Sequence, residues 1–445
     1  MTPFQEHFAL WCVLRAYGVH DKLVRLLTDL HTGTQAAIKL AGRVGSWFEI
    51  STGVRQGCVI APLLFNVFFD CVVRQAQAAM PEGCGVQLSN HANGELFQRS
   101  AGAGSCLFTI STLLYADDMV LMSCCQEELE CMLRTVDDIC NKMGMRINAS
   151  KTELMALVPS PDGSLPQGVQ LSGGVANYVP SFKYLGGLVD TSATCDAEVC
   201  ARISKAKGRF AQMQRLWGMK NMSVSVKMRC YSAYVLPILL FAIETWALTQ
   251  KQTECLECVH SSCLRQLLHV RLSDRHLLVD IRKQCGTVSL ADHLRAARLR
   301  WLGHVVRMDE GRVPQIALLS SLHGVAKRPR GRPPVRWQNC IHSYLQQQEF
   351  PHKMNDLRGI CLMRGAWRSR IYRITHPDAV GAPLQHSRSS SHHRQQSLLR
   401  QQRLQQIHPA SSEPFMIAGV GWQCPCGRIH PTRECTDEVV HLGLD

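Results

Sequence analysis

The chain is 445 residues long and carries 49 Lys and Arg against 35 Asp and Glu, a formal net charge of +14. At roughly 100–200 residues per domain there is room for two or three folded units. A field of this sign attracts polyanions over a range set by salt, so nucleic acid comes first as a partner, ahead of a merely soluble basic protein. The 21 cysteines are odd in number and sit largely in apolar helical contexts such as Cys131, Cys140 and Cys263, which favours a reducing compartment over a disulfide scaffold.

No leader of the secretory type opens the sequence, and the expectation is an intracellular protein of nucleus, cytoplasm or both, with no membrane partner. The longest apolar stretch, Ala233 to Leu248, contains Pro237 and Glu244 and falls short of the roughly 20 residues of a bilayer span. It reads as a buried helix and its continuation.

In chain order, Leu10, Leu14, Val24, Leu27 and Leu30 recur at helical spacing with Gly18 as a break. Ala36 to Ile50 reads as a hairpin, Gly53 to Gly57 as a loop and Pro62 to Ala76 as an apolar helix, and residues 81–105 as an exposed connection. Leu107 to Met122 suggests a strand, a tight turn at an acidic dipeptide and a second strand, both strands buried. Glu127 to Met143 is an amphipathic helix stopped by Gly144; a strand near Leu154 to Val158, a Pro/Gly loop and a segment Phe182 to Val189 follow.

Beyond Val199 the chain turns helical and basic. Ile203, Ala206, Phe210 and Met213 make an inward face, leaving Arg202, Lys205, Lys207 and Arg209 for phosphate or simply for water. Ser289 to Met308 repeats the design, with Leu290, Leu294, Ala297, Trp301 and Val305 inward and Arg295, Arg298 and Arg300 outward. From Gly311 to Gln348 there is no acidic residue, and Lys327, Arg328, Arg330, Arg332 and Arg336 cluster among prolines, as in an extended arm. Gln385 to His408 has the Ser/Gln/Arg/His composition of a disordered linker.

The strongest chemical signal is Tyr115-Ala116-Asp117-Asp118. Adjacent carboxylates at a turn between apolar strands are costly unless a cation neutralises them, and hard oxygen ligands suit Mg²⁺; an ordinary Asp-rich turn is the plainer reading of the tetrapeptide alone. In sequence around it lie Thr52-Gly53-Val54-Arg55-Gln56-Gly57-Cys58 with Pro62 and Asn66, then Ile147-Asn148-Ala149-Ser150-Lys151-Thr152, then Phe182-Lys183-Tyr184-Leu185-Gly186-Gly187. Four motifs in this order resemble the palm of a reverse transcriptase of the non-LTR, LINE-type retrotransposons, and Gly311 to Trp337 resembles the region downstream of it.

The resemblance implies an α+β fold. A partial palm, a small antiparallel sheet with helices, would span 1–190 and a helical, basic, thumb-like region 191–310; a Pro-rich arm with C-terminal helices would span 311–384, a disordered linker 385–410 and a degenerate Cys/His knuckle 411–445. It implies RNA-directed DNA synthesis on an RNA template from a DNA primer or target, with deoxynucleoside triphosphates as substrates. Asp117, Asp118 and Lys151 would be catalytic, the two aspartates holding Mg²⁺ and Lys151 lying near the leaving pyrophosphate. Arg55, Gln56 and Gly57 would position the nucleotide. Tyr184, Leu185 and Gly186 would grip the primer. Arg202, Lys205, Arg209, Arg328, Arg330 and Arg332 would contact nucleic acid.

In that family another aspartate comes from a strand ahead of the nucleotide loop. Within residues 1–50 the acids are Glu6, Asp21, Asp29 and Glu49, none of them after an apolar strand. The expectation is an N-terminally truncated enzyme with an incomplete two-ion site, impaired or silent in polymerisation while still binding nucleic acid, and with the sheet edge beside the acidic hairpin unpaired. Pro329 to Pro333 also resembles an AT-hook core, though a general phosphate-contacting arm is the preferred reading. Cys424, Cys426, His430 and Cys435 offer soft ligands for Zn²⁺ at a spacing tighter than the usual one.

Overall fold

Gly18, at φ +79°, divides the first apolar run into α1 (His7–Ala16) and α2 (Asp21–His31). The computed structural model describes residues 7–50, 53–55, 57–90, 106–157, 165–309, 311–322, 336–347, 350–351 and 353–376, with the backbone of 422–423 and 429–430. The fold is α+β: helices with small, mostly antiparallel sheets.

After α2 comes the hairpin β1 (Gln35–Leu40) and β2 (Arg43–Glu49), turned by Ala41 and Gly42 at positive φ. Next is α3 (Ala61–Ala79), started by Pro62, whose missing N–H costs nothing in a first helical turn. The expected connection at 81–105 holds a strand, β3 (Val86–Asn90), paired with β4 (Cys106–Ile110). The predicted pair of strands over 107–122 is therefore three, because β5 (Thr112–Tyr115) and β6 (Asp118–Leu121) pair only with each other among the described residues. Nor are they both buried: Leu114 and Tyr115 are exposed.

α4 (Gln126–Lys142) ends near Gly144 at φ +71°, as its sequence predicts. Of the expected strand at 154–158, the described part through 157 is strand only in β7 (Glu153–Leu154), parallel to β9 (Gly174–Tyr178), and Val158 lies outside the described residues. β8 (Val169–Leu171) pairs with β9 inside the stretch read as a Pro/Gly loop, and β10 (Ser181–Tyr184) pairs with β11 (Gly187–Asp190).

Helices then take over: α5 (Asp196–Gln212), α6 (Gln214–Gly218), α7 (Val224–Tyr234), α8 (Leu236–Leu239), α9 (Gln250–Leu268), α10 (Leu278–Cys285) and α11 (Leu290–Val306). α12 (Val313–Leu319) leads into β12 (Ser320–Leu322), which pairs antiparallel with β3. α13 (Trp337–Gln347), α14 (Met354–Leu362) and α15 (Arg364–Thr375) follow, and two-residue strands lie at 422–423 and 429–430. The apolar stretch from Ala233 is no continuous helix: Ala242 at φ +53° breaks it, while Leu236, Leu239, Ile243, Trp246 and Leu248 stay buried. No helix among the described residues is long and apolar enough to cross a membrane.

Three hydrophobic cores follow one another along the chain. The first joins α1 to α4 with the β8–β9 hairpin around Leu10, Phe68, Val72, Val136 and Met145. The second gathers α5 to α10 and the start of α11 around Phe210, Trp217, Tyr231, Leu256 and Leu264, and the third gathers the rest of α11 with α12 to α15 around Leu302, Ile341, Leu357 and Trp367. α11 thus serves two cores, and Arg298, expected outward, lies between them. It is 1% exposed, with Nη2 donating to the Trp246 carbonyl at 2.6 Å and Nη1 to the Tyr344 hydroxyl at 3.0 Å.

Candidate active site

The expected nucleotide loop and the acidic hairpin lie on the first core, and the glycine turn lies on α5 of the second. Gly53 is buried, its carbonyl accepting from His7 Nε2 at 2.7 Å, and Val54 packs on the core, which anchors the loop leading into α3. Arg55 and Gly57 are exposed. Gly57 adopts φ +87° and a Cβ there would meet nothing within 4 Å, so glycine serves the backbone conformation and leaves open space above it. Gln56 lies outside the described residues.

The acidic hairpin is short, four residues a strand, with Tyr115 opposite Asp118 and Ala116 at φ +53° in the turn. Met119 and Leu121 face the first core, so alternation along the strand sends Asp118 and Val120 to the other side. Asp117 and Asp118 are exposed and pair with no cation among the described residues. Glu128 on the first turn of α4 ties the segment that leaves the hairpin to the turn ahead of β3. Its carboxylate accepts from the Gly85 N–H at 3.1 Å and from the Ser123 hydroxyl, and the Ser123 bond first, against burial, holds its pKa below the ordinary carboxylate range. Gly85 presses on the backbone of Ile110, where a Cβ would stand 2.8 Å from the carbonyl oxygen.

Lys151 ends a single 3₁₀ turn, Ala149–Lys151, and is exposed. Asn148 organises the turn: its carbonyl accepts from Lys151 N at 3.0 Å and from Thr152 Oγ1 at 3.0 Å, and its Oδ1 from Ser150 Oγ at 2.6 Å. Among the described residues no hydrogen bond or ion pair joins the Lys151 ammonium to Asp117 or Asp118.

The glycine turn Tyr184 to Gly187 is far more firmly held. Leu185 and Gly186 both have positive φ, at 46° and 86°, the double left-handed turn that matches strand twist and costs a leucine about 1–2 kcal/mol. α5 offsets that cost. Arg202 Nη2 donates to the Gly186 carbonyl, Glu198 Oε2 accepts from Leu188 N at 2.8 Å, and the two side chains pair at 2.5 Å, both buried. The Arg202 guanidinium lies 4.1 Å from the centre of the Phe241 ring, which also caps Gly186. Burial first, and then the Asp118 carboxylate, raise the Tyr184 phenol above its ordinary value.

Arg202 is therefore a correction to its expected place on a phosphate-facing surface. It sits between Val199 and Ala206 on the inward side of α5 and is 6% exposed. Lys205 and Arg209 do face solvent, Arg209 lying 5.5 Å from the Tyr234 ring centre. Arg328, Arg330 and Arg332 lie outside the described residues, as do Cys424, Cys426, Cys435 and the side chain of His430. Among the described residues no group of three His, Cys, Asp or Glu converges as a metal site. Sequence reasoning missed Glu128, Glu198 and Phe241; the Glu198/Arg202 spacing of four on one helix was the one available signal.

Residues 7–188 match the family model for the reverse transcriptase (RNA-dependent DNA polymerase). The chain is 24% identical over 250 residues to an uncharacterized transposon-derived protein of Caenorhabditis elegans, covering 54% of this chain and 87% of that one. It is 26% identical over 155 residues to the Pol polyprotein of the type-1 retrotransposable element R2 of Nasonia vitripennis, and 25% identical over 241 residues to the RNA-directed DNA polymerase of the mobile element jockey of Drosophila funebris. Those matches cover 35% and 52% of this chain but only 13% and 23% of the two polymerases.

Proposed function

We propose, from a chain whose residues 7–188 are a reverse transcriptase domain of non-LTR retrotransposon descent, that its chemistry is RNA-templated DNA synthesis centred on the Tyr115–Asp118 hairpin. The observation that carries this reading is the pair of exposed carboxylates at the turn of the β5–β6 hairpin, which pair with no Lys or Arg among the described residues.

The donor set fits Mg²⁺, whose hard sphere takes one or two protein carboxylates and completes itself with water and substrate phosphates. Asp117 and Asp118 would hold the ion, which would supply charge neutralisation for the triphosphate and the attacking primer hydroxyl. The chain's own residues do the rest. At Gly57 the loop offers open backbone to base and sugar, next to the exposed Arg55; Gln56 takes the same role by the resemblance alone. The Lys151 ammonium donates a hydrogen bond or a proton to the departing pyrophosphate. Tyr184, Leu185 and Gly186 hold the primer terminus on a turn that Arg202 and Glu198 keep from moving, while Lys205 and Arg209 face the nucleic acid backbone.

A two-ion site draws on a further carboxylate, and no third ligand joins Asp117 and Asp118 among the described residues. Residues 1–445 taken alone are therefore expected to extend a primer weakly, and more strongly with Mn²⁺ than with Mg²⁺. The test is primer extension on a homopolymer RNA template, beside Mn²⁺ binding followed by electron paramagnetic resonance. The expected result is a trace product and bound Mn²⁺, both lost in Asp118→Ala. Metal binding or extension that survives Asp117→Ala combined with Asp118→Ala overturns the assignment.

A further inference from the structure

The third core carries charge that the polymerase reading does not use. Among the described residues between 290 and 376 there are 12 Lys and Arg against 3 Asp and Glu. Part of this excess is gathered at one place. α15 is pressed onto α11 at Gly303, where a Cβ would collide with the indole nitrogen of Trp367. One turn further along, Arg307 extends Nη1 to the Cys361 carbonyl at 3.3 Å, at the end of α14 and three residues ahead of Arg364.

Arg364 and Arg368 then stand a turn apart on α15, about 6 Å along its axis, both exposed. None of the three guanidiniums has an ion-pair partner among the described residues. They feel one another: burial first, then the charges of Arg364 and Arg368, lower the Arg307 pKa from its ordinary value. Like charges gathered on one face favour an anion that bridges them.

The same stripe of α15 continues at a spacing of four to Tyr372 and to His376 just past its end. Their rings stack at 3.9 Å between centres and 7° between planes, and Tyr372 is 40% exposed. An accessible ring stack beside a row of guanidiniums is the combination that holds unpaired nucleotides, whose bases expose a face that a duplex keeps inside.

We propose that Arg307, Arg364 and Arg368, with the Tyr372–His376 stack, form a binding site for single-stranded nucleic acid. The guanidiniums take phosphates and the stack receives a base. The site lies outside residues 7–188 and works whether or not that domain polymerises.

The test is fluorescence anisotropy of the full chain with labelled oligo(dT) and oligo(rU), a matching duplex, and polyglutamate as competitor, over a range of salt. Arg364→Gln combined with Arg368→Gln changes exposed side chains only, and an unchanged melting temperature checks the fold. Affinity for single strands is expected to fall about tenfold or more, and the slope of log affinity against log salt to lose about 1.4, at roughly 0.7 per phosphate contact. Tyr372→Ala is expected to weaken binding and leave the slope in place. The strand type with the larger loss identifies the ligand as RNA or DNA. Unchanged affinity and slope in the double variant, a loss confined to the duplex, or displacement by polyglutamate as effective as by unlabelled oligo(dT), each overturns the proposal.

Discussion

The β5–β6 and β10–β11 hairpins are alike in plan and opposite in support. Each has two four-residue strands, a two-residue turn and no third strand among the described residues. The acidic hairpin is held below its exit strand, where Glu128 bonds Ser123, and left bare at its tip, whereas the glycine turn is bound at the tip itself by Arg202, Glu198 and Phe241. The difference follows the work proposed for each. A carboxylate pair that is to meet a cation must stay hydrated until the cation arrives, and a turn that is to fix a primer end must not yield.

The largest effect that tests this contrast comes from Arg202→Ala. It strands the Glu198 carboxylate in a buried place and is expected to cost about 3–5 kcal/mol in urea unfolding, while Arg202→Met combined with Glu198→Leu recovers much of that loss. A double variant no better than the single one would mean that the hydrogen bonds to Gly186 and Leu188, rather than the ion pair, hold the turn.

A smaller effect belongs below the exit strand of the acidic hairpin. Glu128 is depressed in the folded state, so its contribution is present above the ordinary carboxylate pKa and is lost as pH falls through the lowered folded value. Glu128→Gln is expected to be less stable than the parent at neutral pH, with the gap closing below about pH 4. A gap that stays constant on acidification would show that the carboxylate charge does not matter there.

The smallest effect is expected at the bare tip. Asp117→Asn with Asp118→Asn should leave unfolding free energy within about 0.5 kcal/mol of the parent, while primer extension and Mn²⁺ binding disappear. Marked destabilisation would make the pair a structural turn.

The four motifs were legible because each is local: among the described residues in and beside them, Val54, Met119, Leu121, Ile147 and Ala149 are partly or fully buried, and the glycine turn rests on α5. Arg202 was misread because charge was allowed to outweigh position: three residues after Val199 and four before Ala206, it had to point inward. The β8–β9 hairpin was hidden by glycines and prolines, although Val169, Leu171, Ala176 and Tyr178, all buried, alternate along its two strands. The pairing of β12 with β3 had no signal at all, since strands joined across more than two hundred residues leave no periodicity that a local window detects.

That pairing bears on how the protein is made. Ser320 to Leu322 closes the outer edge of β3 with a register of Ser320 on Asn90 and Leu322 on Leu88. At about 5–20 residues per second, a ribosome takes some tens of seconds to pass from one strand to the other and clear its tunnel. Throughout that interval the nascent chain displays an open row of backbone donors and acceptors, a natural landing place for chaperones and for neighbouring copies on the same message.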